Sequence, residues 1–354
     1  MRNRKVLFVI PLVLLALIAG LYTGFLRLGW NLPLSQTMAH HGFIMACSFL
    51  GTLIILERIV VVKIPWFYLF PVINGLSLPM FLLDQYKIGY ILLLIGTLGL
   101  IISYIIFYVK YGEKYLLLML VGSMFLIIGI LLPLFGQLIA ASVPYLFGFL
   151  LFTITGERLE LGKFLPDKKF KKPLLYLGIS VFTIGIFVNF HDSGHYFSGA
   201  GMILLALWML RYDIVNKSIK SHGIHKYVGI TLFSGYIWLL ISGILMTLNL
   251  TSVFYYDALL HSFFLGFTFL MIFAHGPIIF PGVAGFNFRP YHKSLYFWVI
   301  LLNLFLALRI ISDIASIVEL RKISGLINGF TIIGFFVNLL ILIRYHIKKE
   351  KSLG

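Results

Sequence analysis

Charge is what this sequence has least of. Only 11% of its 354 residues are Asp, Glu, Lys or Arg, against roughly 25% in a soluble domain. Acids are scarcer still, with 12 Asp and Glu against 28 Lys and Arg. There is one cysteine, Cys47, so no disulfide framework and no CxxC metal or redox motif exists. What fills the space is apolar: 60% hydrophobic residues and a mean hydropathy of +1.02. A soluble core has no room for that much apolar surface, so the composition excludes a water-soluble fold. The expected class is an all-α polytopic membrane protein.

Apolar runs long enough to cross a bilayer, about 20 residues each, fall near 5–27, 38–62, 64–83, 88–109, 114–134, 136–156, 173–190, 194–210, 225–247, 256–280, 293–312 and 324–345. This gives twelve transmembrane helices in one transmembrane domain, 1–354. The first run is long and leads directly into further spans, unlike a cleaved signal peptide. Placing both termini in the cytoplasm puts 23 of the 28 Lys and Arg on the inner side; Arg27, Lys87, Arg309, Arg321 and Lys322 are the exceptions. The formal charge of +16 then belongs to an anionic lipid surface and not to nucleic acid. The expected location is the plasma membrane of a prokaryote, multi-pass.

Helix two ends in "GTLIILERIVVVK" and helix six in "FTITGERLELGK". Glu57-Arg58 and Glu157-Arg158 thereby sit at the same inner depth. Helix ten carries His275 near that level. Three pseudo-repeats of four helices, roughly 1–112, 113–222 and 223–354, are the simplest organisation. Glu57, Arg58, Glu157, Arg158 and His275 are expected to form a structural polar cluster, with a carboxylate–histidine metal site or proton entrance as the lesser alternative.

Six of the ten histidines lie at or inside membrane helices, where ionisable groups are costly and mark function. His40 and His41 open helix two at the outer side, and His261 opens helix ten at the same depth. Two imidazoles on facing helices suit an axially ligated haem; the bland alternative is that each caps a helix at the interface. Adjacent residues point about 100° apart on a helix, so only one of His40 and His41 faces a given ligand. His275 lies about 21 Å further along helix ten than His261, too far to share one cofactor. His191 and His195, in "NFHDSGHYFSG", read as a solvated outer turn because of Asp192 and Gly194. A metal site there lacks an evident third ligand. His222, His225, His292 and His346 fall in basic inner segments.

The stretch "AHHGFIM" is similar to the AHG-x-x-M pattern of subunit I of the haem–copper oxidases, with the match on His41, Gly42 and Met45. That family has twelve helices in three pseudo-repeats and takes its second low-spin haem ligand from helix ten, here His261. The chain also resembles NnrS-type proteins, twelve-helix membrane proteins linked to nitric oxide and haem. The resemblance implies a haem b held by His41 and His261, with His40 as a neighbouring residue. It implies electron transfer or small-gas binding, with a redox partner or quinol. The oxidase copper ligands have no counterpart: "SVPYLFGFLLF" on helix six has no histidine and "LLHSFF" on helix ten has one. Copper and oxygen reduction are therefore not expected. A multi-pass transporter of a small substrate and a membrane assembly or scaffold protein are the rival readings, since twelve helices serve them equally and Pro71, Pro79, Pro133, Pro144, Pro277 and Pro281 suit broken helices.

Overall fold

The computed structural model describes residues 6–248 and 250–353. Arg2, Arg4 and Lys5, part of the charge argument above, lie outside the described residues, as does the side chain of Lys351. The described residues are helical, with no strand among them.

In chain order the long helices are α1 (Val6–Arg27), α2 (Ser35–Val62), α3 (Pro65–Leu82), α4 (Tyr86–Tyr111), α5 (Lys114–Leu134), α6 (Ile139–Leu161), α7 (Lys171–Phe187), α8 (Phe190–Tyr212), α9 (Gly223–Leu248), α10 (Tyr255–Val283), α11 (Ser294–Ile314) and α12 (Val318–Leu353). Eleven of these, among the described residues, are long and apolar enough to cross a membrane. The helix short of that length is α7, with 17 residues, or about 25 Å of rise. The many-helix membrane class therefore stands, and the count of twelve rests on α7.

The chain divides into two compact units. One comprises Met1–Glu160 with Val283–Phe286; the other comprises Leu161–Gly282 with Asn287–Gly354. The boundary falls inside the second of the three expected repeats. Each unit contains six of the long helices.

Three helices contain a π-helical segment. In α2, a 3₁₀ turn (Ser35–His40) and one α turn lead into a π-helix over Ile44–Gly51, then α-helix from Thr52. In α10, the α turn Tyr255–His261 passes directly into a π-helix over Ser262–Thr268. In α8, a π-helical turn covers Phe190–Gly194. A histidine lies within, next to or three residues before each π-segment: His191, His261 and His41 respectively in α8, α10 and α2. A π-helix shifts the hydrogen-bond ladder by one residue and is frequent at functional sites.

In α2 the neighbouring chain holds that shift. The Nδ2 of Asn74 donates to the Cys47 carbonyl (2.9 Å) and to Thr52 Oγ1 (2.8 Å). Asn74 lies where α3 is interrupted at Leu76, and Ser77 Oγ donates back to the Asn74 carbonyl. Gly96 of α4 makes the space, because a Cβ there would stand 2.4 Å from Asn74 Oδ1. In α10 the corresponding close approach is at Gly266, where a Cβ would stand 2.5 Å from Trp238 Cγ. Trp238 in turn donates its indole N–H to Asn303 Oδ1 at 2.8 Å.

The link between α7 and α8 differs from the expected solvated turn. Asn189 alone takes the left-handed conformation (φ 35) that reverses the chain. Helix resumes at Phe190, and Gly194 is a packing residue: a Cβ there would meet the Gly185 carbonyl at 2.3 Å. Gly194 is needed for this contact and not for a turn.

Candidate functional site

The N-terminal end of α10 carries a dense set of ionisable groups. The Asp257 carboxylate accepts from Arg309 Nη2 at 2.9 Å and from Arg321 Nη2 at 3.1 Å, both at Oδ2. Arg321 Nε lies 2.9 Å from Asp313 Oδ1, and Arg309 Nε lies 4.0 Å from Asp313 Oδ2. Arg309, Arg321 and Asp313 are buried. The guanidinium of Arg321 also lies over the Phe254 ring, 4.4 Å from its centroid. Ser252 Oγ donates to the Asp313 carbonyl. Two arginines thus meet two aspartates, and the set is neutral. Arg309 and Arg321 are two of the five exceptions to the expected inner-side charge bias, and buried carboxylates balance both.

His261 hangs from this network. Its Nδ1 is 2.9 Å from the Asp257 carbonyl oxygen and 3.3 Å from Asp257 Oδ1. Both oxygens are acceptors, so Nδ1 carries the proton and the lone pair of the neutral ring is on Nε2. A histidine held through Nδ1–H by a carboxylate or carbonyl is the usual arrangement of a metal ligand.

His41 reaches the same tautomer by a different route. Its Nδ1 lies 3.0 Å from the Gly20 carbonyl and 3.1 Å from Thr23 Oγ1. Thr23 Oγ1 itself donates to the Gly20 carbonyl at 2.9 Å. Gly24 lets the ring lie against α1, where a Cβ would come within 3.1 Å of His41 Cε1. Met45, one turn on, occupies the space left by Gly20.

His40 is the more deeply buried of the pair, 8% exposed. Its ring stacks on Tyr86 at 3.9 Å and on Phe81 at 5.3 Å, and its Nδ1 is 3.0 Å from the Tyr90 hydroxyl. Divergence of the two side chains was legible from helix geometry. The aromatic enclosure of His40 was not, because Phe81, Tyr86 and Tyr90 arrive from α3 and α4.

At the other end of the first unit, the expected polar cluster assembles around Arg58. Its Nη2 donates to Glu157 Oε1 at 2.5 Å and stands 3.9 Å from Glu57 Oε1. Its Nη1 is 3.7 Å from Glu160 Oε2. Glu160 was not singled out from the sequence. Arg158 is buried, and its charge acts on Glu57. The Arg58 guanidinium also lies over Tyr104, 5.9 Å from the ring centroid. His275 belongs to the second unit, where its Nδ1 donates to the Met271 carbonyl one turn earlier, at 2.8 Å.

His191 is exposed, and His195 sits against Tyr196 with ring centroids 4.1 Å apart. Among the described residues no group of three or more His, Cys, Asp or Glu is placed to hold a metal ion. Cys47 is buried in the π-segment of α2.

The sequence reading missed Asp257 and Asp313. The signal was present: Asp257 and His261 are four residues apart on one helix, as are Arg309 and Asp313 on another. That spacing places each pair on one helix face.

No curated protein and no solved structure matches the chain. A family model described as Domain of unknown function (DUF8744) matches residues 4–344, and the chain belongs to that family.

Proposed function

We propose that the chain is an integral membrane haem protein that transfers electrons or binds a small gas such as nitric oxide, with His41 and His261 each a candidate imidazole ligand of haem b. The observation that carries this reading is the setting of His261: Nδ1–H is held by Asp257, and Asp257 is anchored by two arginines. His41 has its Nδ1–H held in a similar way, by the Gly20 carbonyl. Both histidines lead into π-helical segments that contain or adjoin phenylalanines, Phe49 in one and Phe263, Phe264 and Phe267 in the other. Within each unit, phenylalanines beside an imidazole are the residue types that an apolar haem wall uses. The haem would supply a one-electron redox centre. The chain's own residues fix the tautomers and ring orientations.

Orientation follows the charge bias, with both termini cytoplasmic in a prokaryotic plasma membrane. A quinol or another redox partner is the expected source or sink of electrons. The test is an absorption spectrum of purified, dithionite-reduced full-length protein. Sharp α and β bands, altered by His41→Ala and by His261→Ala, are expected. Protein without haem would overturn the reading.

A second reading has support of its own. The division into two compact units of six long helices, with a buried polar cluster at Ser48, Thr52, Asn74 and Ser77 beside an interrupted helix, suits a small-substrate transporter. The polar groups of that cluster hydrogen-bond to one another, which favours a role in helix association over substrate binding. Haem-free, stable protein would make the transporter the better reading.

A further inference from the structure

Between the end of α6 and the start of α7 the chain runs "GKFLPDKKFKK", Gly162 to Lys172. It holds five lysines, one aspartate and two phenylalanines. Phe164 is 89% exposed and Phe170 63% exposed. They lie outside the candidate spans, so burial in the hydrocarbon core by a spanning helix does not account for them. Each lies beside a lysine: Lys163 Nζ is 5.1 Å from the Phe164 centroid, and Lys169 Nζ is 5.6 Å from the Phe170 centroid.

The segment is held in shape. Leu165 N–H donates to the Gly162 carbonyl (3.0 Å), and Lys171 N–H to the Lys168 carbonyl (2.9 Å). The indole of Trp208, from α8, donates to the Lys171 carbonyl at 2.8 Å. Asp167 pairs with Lys172 at 2.5 Å. The hydrogen bond from that ammonium holds its carboxyl below the usual carboxylate range. The net charge of the segment is thus +4 at neutral pH.

We propose that residues 162–172 form a docking site for anionic phospholipid of the host bilayer, with the lysines on the phosphates and Phe164 and Phe170 inserted at the headgroup level. Three features favour lipid over other polyanions. The segment joins two helices at their membrane ends. It pairs aromatic rings with lysines, as membrane-surface elements do. Its shape is set in advance, which lowers the cost of binding. The proposal is independent of haem and rests only on the membrane class.

Native mass spectrometry of the full-length chain, released from detergent carrying equal amounts of phosphatidylglycerol and phosphatidylethanolamine, tests it. Wild type should retain phosphatidylglycerol preferentially. The preference should fall by about fivefold for each lysine when Lys168, Lys169 and Lys171 are changed to Gln. Phe164→Ser with Phe170→Ser should weaken retention of both lipids. The same preference should fade in about 0.5 M salt. Equal retention of both lipids by wild type would overturn the proposal. So would a preference that survives the triple substitution in a chain of unchanged helicity. If the triple variant does not fold, Lys169→Gln at an exposed position carries the same test with one fivefold step. Binding of a poly-glutamate probe without any lipid preference would assign the surface to an acidic protein instead, and also overturn it.

Discussion

Arg321 places its Nε 2.9 Å from the carboxylate of Asp313, a residue with no exposed surface, while its Nη2 reaches Asp257 at 3.1 Å. One arginine thereby ties two aspartates from different helices into a neutral buried set.

Removing either acid leaves positive charge uncompensated in an apolar interior. Asp313→Ala is expected to cost roughly 3–5 kcal/mol, the usual penalty for stranding the partner of a buried ion pair. Asp257→Ala should cost at least as much, since it takes the nearest carboxylate from Arg309 and one of two from Arg321. Thermal unfolding of the detergent-solubilised protein measures this. Wild-type stability in both variants would show that the network carries no structural weight.

The Arg58 cluster is built differently, with three carboxylates around one guanidinium and partial exposure. Arg58→Ala should be worse than Glu57→Ala, because it leaves Glu57, Glu157 and Glu160 facing one another, whereas Glu57 is the farthest of the three at 3.9 Å. A loss of about 1–3 kcal/mol is expected for Arg58→Ala, less than for a fully buried pair. A larger loss in Glu57→Ala would reverse the ranking and make Glu57 the anchor.

His40 and His41 should separate by phenotype. His40→Ala opens a space beside Tyr86 and leaves the buried Tyr90 hydroxyl without its partner, costing about 1–3 kcal/mol. It should leave any haem spectrum in place. His41→Ala should change the spectrum at little cost in stability. The comparison needs absorption spectra and melting curves of the two variants side by side; spectral loss in His40→Ala alone would exchange their roles.

Topology turns on α7. Reporter fusions after Lys172 and after Asp192 should report inner and outer locations respectively, because 17 residues at about 1.5 Å each just meet the lower limit for a span. Identical locations would remove α7 from the count and leave eleven crossings.

Composition alone determined the class. So little charge and so much apolar residue leave no soluble alternative, and the run lengths place most helices to within a few residues, although α12 starts six residues before its run and ends eight after it. The Glu57-Arg58 and Glu157-Arg158 pairing was also legible, since matching depth on two helices is a one-dimensional property. The π-segments after His41 and His261 were not, because a π-turn differs from an α-turn by one shifted hydrogen bond that no residue type encodes. The Arg58–Glu160 and Asp257–Arg321 contacts form only when helices distant in sequence come together; Asp257 meets Arg321 across 64 residues. The tautomer of His41 was likewise decided by tertiary structure, whereas that of His261 is set by Asp257 one turn back on the same helix. A histidine's proton goes to the nitrogen nearest an acceptor, and for His41 that acceptor is a carbonyl on another helix, 21 residues away.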